Sequence, residues 1–142
     1  MAVMRVGRVV LGGLAAGVLS TASGIVLGHF VLGPDYVEAI LRHVPGELNP
    51  ALHAGLRLLF GLLAAFLNAG LRPRFGPGPR TALVAGLVLF AAACVPLLAA
   101  LAEFGILAGG WLWTATLWSA AECVACALLA GWIYREREGG GA

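Results

Sequence analysis

The chain has 142 residues, 61% of them hydrophobic and 11% charged, with a formal net charge of +2. Soluble domains carry about 25% charged residues, and a chain this short cannot bury enough surface to hide so much apolar area from water. A water-soluble globule is therefore excluded, and the flanks of the protein must face lipid. All the basic residues are Arg, and they stand at the ends of apolar runs instead of forming a patch, so no nucleic acid is expected as a partner.

Arg5 and Arg8 precede an uncharged run over residues 9–32. A positive start, an apolar centre and small residues at Ser20-Thr21-Ala22 fit a secretory signal, but the apolar run continues to span length. It is read as the first transmembrane helix. Gly12, Ala16, Ser20, Gly24 and Gly28 recur every fourth residue along it, with Gly13, Gly17 and Thr21 beside them. Small residues at this spacing let a neighbouring backbone approach closely. Packing inside the chain's own bundle and a seam for a second copy or a partner subunit both satisfy the pattern.

Residues 33–49 form the only long polar connection. Asp35 and Glu38 have capping-box spacing, with Asp35 as N-cap. Tyr36, Val37, Ile40, Leu41 and Val44 share one face, opposite Asp35, Glu38 and Arg42, and Pro45-Gly46 stops the run. The prediction is a short amphipathic helix lying at the membrane surface or closing one end of the bundle. Asn49-Pro50 is an N-cap followed by Pro at N1, opening a second span over residues 51–71. His53, Arg57, Gly61, Ala64 and Asn68 lie on one of its faces at helical spacing.

Residues 71–80, LRPRFGPGPR, read as a compact Pro/Gly turn. The third span covers residues 81–102 and contains Pro96, which removes the donor to the Ala92 carbonyl and predicts a kink. Glu103, Gly105, Gly109 and Gly110 mark the next turn. The fourth span covers residues 111–134, with Trp111 and Trp113 at one end and Trp132 and Tyr134 at the other. The expected fold is an all-α bundle of four transmembrane helices, in one domain, with the short amphipathic helix between the first two.

Arg5, Arg8, Arg72, Arg74, Arg80, Arg135 and Arg137 fall on one side of this arrangement. The positive-inside rule makes that side, with both termini, cytoplasmic, which places the chain as a multi-pass protein of a bacterial inner membrane.

Glu122 lies 11 residues after Trp111 and 12 before Tyr134. That is ~16 Å from either end at ~1.5 Å per residue, the middle of a ~30 Å hydrocarbon core. A carboxylate there must face protein or water. Either it serves a proton or cation path, or it locks helix packing. Arg57 is the first candidate partner. Ser20, Thr21 and Ser23 in the first helix, and Ser119 one turn away, come next, with Asn68 a further polar residue inside the membrane.

His29 and His53 each lie just inside the outer end of a span. Two imidazoles so placed can ligate haem b or line a quinone pocket, or simply hydrogen-bond at the interface. Cys123 and Cys126 have the spacing of a redox or metal pair, but with Cys94 on another helix and no His at that depth they read as packing residues and no metal site is expected.

Arg72-Pro-Arg-Phe-Gly-Pro-Gly-Pro-Arg-Thr-Ala82, together with Glu122 and the ending Ala130-Gly-Trp-Ile-Tyr-Arg-Glu136, resembles a group of uncharacterised bacterial four-helix membrane proteins. The resemblance implies the fold and brings no activity with it. Small multidrug transporters also have four short helices and a membrane carboxylate, but theirs is in the first helix, where this chain has none.

No nucleophile–base pair, phosphate-binding loop or carboxylate pair is evident, so the expected role is non-catalytic. The chain reads as a structural or accessory membrane subunit or a homo-oligomer packed through small-residue helix faces, with lipid around it and either a second copy or a larger membrane complex as its partner. The alternative is a small transporter or channel centred on Glu122.

Overall fold

The computed structural model of the chain describes residues 5–43 and 49–134. Val44, the Pro45-Gly46 stop, Glu47, Arg135, Glu136 and Arg137 lie outside the described residues. The described residues form five helices and no strand: α1 (Val6–Val31), α2 (Pro34–His43), α3 (Pro50–Phe75), α4 (Pro79–Glu103) and α5 (Gly109–Ile133). All but α2 are long and apolar enough to cross a membrane, as the sequence predicts, and the protein is a multi-pass membrane protein.

The four long helices pack as a rhombus. α1 lies against α3 and α5, α4 lies against α3 and α5, and α3 and α5 meet across the short diagonal. The core is built from small residues. Ala16, Ala64, Ala85, Cys123, Cys126 and Ala127 are fully buried, while Leu11, Val18, Leu59, Leu63, Leu87, Leu97 and Leu117 are exposed around the perimeter. This inversion suits a chain with lipid for solvent, where association rests on close backbone contact and large apolar side chains gain nothing by leaving the surface.

Glycines set the tightest of these contacts. Gly61 lies directly against the backbone of Gly13 and Gly17, so a Cβ at Gly61 would overlap the main chain of α1. A Cβ on Gly17 would come within 2.7 Å of Leu58 Cα, and one on Gly86 within 2.6 Å of Val124 Cα. On the neighbouring stripe of α1, a Cβ on Gly12 would come within 3.0 Å of the Ala130 carbonyl oxygen of α5, and Ala16 and Ser20 are fully buried. The Gly12–Gly24 portion of the small-residue ridge is therefore filled from within the chain. Gly28, at its C-terminal end, has open space around it.

Three local readings need correction. The polar connection does not start with a capping box: α2 begins at Pro34, which places Asp35 inside the first turn, and Glu38 instead pairs with Arg42 at 2.6 Å. Proline at a helix start is pre-set for helical φ and has no amide to satisfy, and Gly33, at φ +83°, supplies the left-handed residue that ends α1. The amphipathic helix itself is present. Its Tyr36 ring meets Trp111 edge-on at 5.8 Å between centroids, seating α2 over that end of the bundle with Leu98, Leu107 and Ala115.

The turn after the second span is shorter than residues 71–80. α3 runs on through Pro73 to Phe75 and stops at Gly76, which has φ +79° and donates its N–H to the Arg72 carbonyl. Pro73 sits in the last turn, where it forfeits one bond only.

In the third span, the proline effect takes the form of a π turn over Phe90–Cys94, directly before Pro96. The Val95 N–H reaches back five residues to Phe90 O. The wider turn absorbs the donor that Pro96 lacks. A second π turn, Val26–Val31, closes α1, with Leu32 N–H on Leu27 O at 2.8 Å; no proline accounts for it.

Candidate functional site

Glu122 faces the bundle interior, and its side chain is 8% exposed. Three helices converge on it. From α1, Ser20 Oγ donates to Glu122 Oε1 at 2.7 Å and Ser23 Oγ donates to Oε2 at 2.6 Å. From α3, Arg57 Nη1 donates to Oε1 at 2.8 Å, forming an ion pair. Arg57 Nη1 also lies 3.0 Å from Ser20 Oγ and 3.4 Å from the Ser20 carbonyl. From α5 itself, Trp118 Nε1 donates to Ser23 Oγ at 2.8 Å, so the indole supports the hydroxyl that binds the carboxylate.

Each of these positions has a local cause. Ser20 and Ser23 are three residues apart and project from adjacent positions of one α1 face; Trp118 and Glu122 are one turn apart on α5. Arg57 can cross to Glu122 because Gly24 leaves room for it: a Cβ on Gly24 would meet Arg57 Nη2 at 2.6 Å. Arg57 remains 28% exposed, so one edge of the network reaches the surface of the bundle. Two opposite charges with every carboxylate oxygen ligated meet the two conditions that make a membrane-buried ion pair tolerable, mutual neutralisation and full hydrogen bonding.

The sequence-predicted residues divide accordingly. Arg57, Ser20 and Ser23 join Glu122. Thr21 does not; its hydroxyl bonds Gly17 O of its own helix at 2.9 Å. Ser119 is half-buried on α5 and takes no part. Asn68 belongs to a second contact lower on α3, where its amide donates to Ala127 O of α5 at 2.7 Å. Arg72 extends that contact by one turn, reaching Gly131 O at 2.5 Å and covering the Tyr134 ring at 4.7 Å. Trp118 and Arg72 are the members that sequence reasoning missed. Trp118 stands one turn from Glu122 on the same helix, but its N–H finds a partner only through the placement of Ser23 on α1. Arg72 was hidden by ending the second span at residue 71.

His29 and His53 are both exposed. Cys126 donates its thiol to Ala16 O at 3.4 Å, the packing role expected of it, while Cys94 and Cys123 bring their sulfurs to 3.5 Å of one another. Among the described residues no group of His, Cys, Asp and Glu is arranged to hold a metal ion. Outside the bundle core, burial raises the Tyr36 phenol above its ordinary pKa, opposed by the nearby Arg57 charge. An apolar cleft of about 210 Å³ lies between the C-terminal half of α4 and the N-terminal half of α5, lined by Val95, Leu98, Leu112 and Trp113, away from the Glu122 network.

No protein-family model matches this chain. No curated protein and no solved structure matches it either.

Proposed function

We propose that this chain is a non-catalytic structural or accessory protein of a bacterial inner membrane, with both termini cytoplasmic, and that Glu122 is the lock of its helix bundle. The observation that supports this is the saturation of the carboxylate: Oε1 is held by Ser20 and Arg57 and Oε2 by Ser23, with the side chain 8% exposed. A carboxylate that carries a proton or cation through a cycle has to exchange partners, and here three donors from two other helices would have to be displaced. Glu122 ties α1 and α3 to α5 at the depth where no water is available to do so. The orientation rests on Arg5, Arg8, Arg72, Arg74 and Arg80 gathering at one end.

Because the small-residue ridge is occupied within the chain, association with a second copy or a larger complex uses another face. The surface beside the cleft, with Leu97, Trp113 and Leu117 each at least 60% exposed, offers one such apolar face.

The transporter reading keeps one observation in its favour, the partial exposure of Arg57. Reconstitution of the purified protein into vesicles loaded with a pH-sensitive dye separates the two. The lock reading predicts proton flux equal to protein-free vesicles for both the native chain and Glu122→Gln, with assembly weakened in the variant. Flux that the native chain supports and Glu122→Gln abolishes would overturn it.

A further inference from the structure

The lock does not use the thiols. Cys94 ends the π turn of α4 and is half-buried, Cys123 on α5 is fully buried, and their sulfurs are 3.5 Å apart. Cys126 has the sequence spacing of a partner for Cys123, yet its thiol is turned to the Ala16 carbonyl on α1. We propose that Cys94 and Cys123 form a two-electron oxidation site within the membrane, whose product is a disulfide joining α4 to α5.

A disulfide has its sulfurs ~2.05 Å apart, so the pair has to close by ~1.5 Å. Rotation of the two thiols supplies part of this. The rest falls on the π turn, a stretch of α4 already widened ahead of Pro96, which has no amide to donate. The half-buried Cys94 is on the accessible side of the pair and the enclosed Cys123 behind it, so an oxidant dissolved in the bilayer reaches Cys94 first. The chemical class that fits is a lipid-soluble quinone. Two S–H bonds break and one S–S bond forms, and the two electrons and two protons released reduce the quinone to its quinol. The product pins α4, whose C-terminal half stands off α5 across the apolar cleft, to the helix that carries Glu122.

The experiment uses the full chain in lipid nanodiscs, treated with decylubiquinone, then denatured and labelled with a maleimide for intact-mass counting. The native chain has three free thiols. The expected result is a fall to one, with a Cys94–Cys123 peptide recovered by mapping. Cys126→Ser should still lose two thiols, and Cys94→Ser should lose none. Retention of all three thiols by the native chain, a bond between Cys123 and Cys126, or a bond between two chains would each overturn the assignment. Because the read-out is made on the native chain, the result does not depend on whether a variant folds, and it is independent of the role of Glu122.

Discussion

α3 reaches α5 through two polar contacts, and they are built differently. Near the middle, Arg57 meets a side-chain carboxylate, and both oxygens of Glu122 are ligated. Toward the other end, the hydrogen bonds of Asn68 and Arg72 go to backbone carbonyls of α5, Arg72 also covers the Tyr134 ring, and Asn68 Oδ1 and Arg72 Nε are left buried without a partner. The first contact depends on particular side chains from three helices. The second joins α3 side chains to α5 carbonyls and requires glycine at 131, where a Cβ would meet Asn68 Nδ2 at 2.6 Å; Gly131 also lies in the last turn of α5, where carbonyls lack an in-helix donor. Removing one partner of the first strands a charge in the membrane. Removing Asn68 or Arg72 from the second leaves behind a neutral backbone carbonyl and no charge. The difference teaches where charge pairing resides: in the central network, while the lower contact is set by backbone carbonyls and the space that Gly131 leaves.

The largest effect that sharpens this comparison is expected from Glu122→Leu. It leaves Arg57 without its counter-charge, a change worth about 3–5 kcal/mol when a buried pair loses one member. Reversible unfolding in mixed micelles measures it. Next comes Gly61→Ala. Its Cβ points into the backbone of Gly13 and Gly17, so α1 and α3 must move apart, at a cost of about 1–3 kcal/mol for overpacking. The same unfolding assay should show the loss, and the Arg57–Glu122 contact should weaken with it.

Asn68→Leu breaks the second contact and should cost no more than about 1 kcal/mol, since the lost bond is offset by removal of the unpaired buried Oδ1. A loss as large as that of Glu122→Leu would erase the distinction between the two regions.

The smallest effect concerns α2. Burial holds the Tyr36 phenol in its neutral form, so its pKa is raised in the folded protein. The stabilisation is fully present below the ordinary tyrosine pKa of about 10 and is lost as pH rises through the higher folded value. Ultraviolet titration of a Tyr134→Phe chain, which leaves Tyr36 as its only tyrosine, should show tyrosinate forming later than in the unfolded chain. Titration at the ordinary value would mean that α2 does not shield it.

Much of the fold was legible because lipid imposes long apolar runs, and those are read directly from residues 9–32, 51–71, 81–102 and 111–134. Helix ends were less so. Pro73 and the Gly-Pro residues after it look like a turn, but one proline in a last turn forfeits little, and α3 continues past it. Pro96 announced a disturbance without its form, because a kink and a π turn remove the same bond. At the site, Glu122, Arg57 and the α1 serines followed from depth and charge alone. Trp118 did not, since an indole in a membrane helix is ordinarily apolar filling, and only the placement of Ser23 opposite it turns its N–H into a partner. The Cys94–Cys123 approach depends on how α4 and α5 rotate against each other, which composition does not specify.

The central claim is that Arg57 and Glu122 hold the bundle together as a coupled pair. The most direct measurement is a double-mutant cycle in reversible unfolding, with Glu122→Leu, Arg57→Met and the two combined. The lock predicts that each single variant loses several kcal/mol and that the double variant regains most of that loss, because no charge is then stranded. A double variant whose loss equals the sum of the two single losses would show that the residues act independently, and would contradict the account.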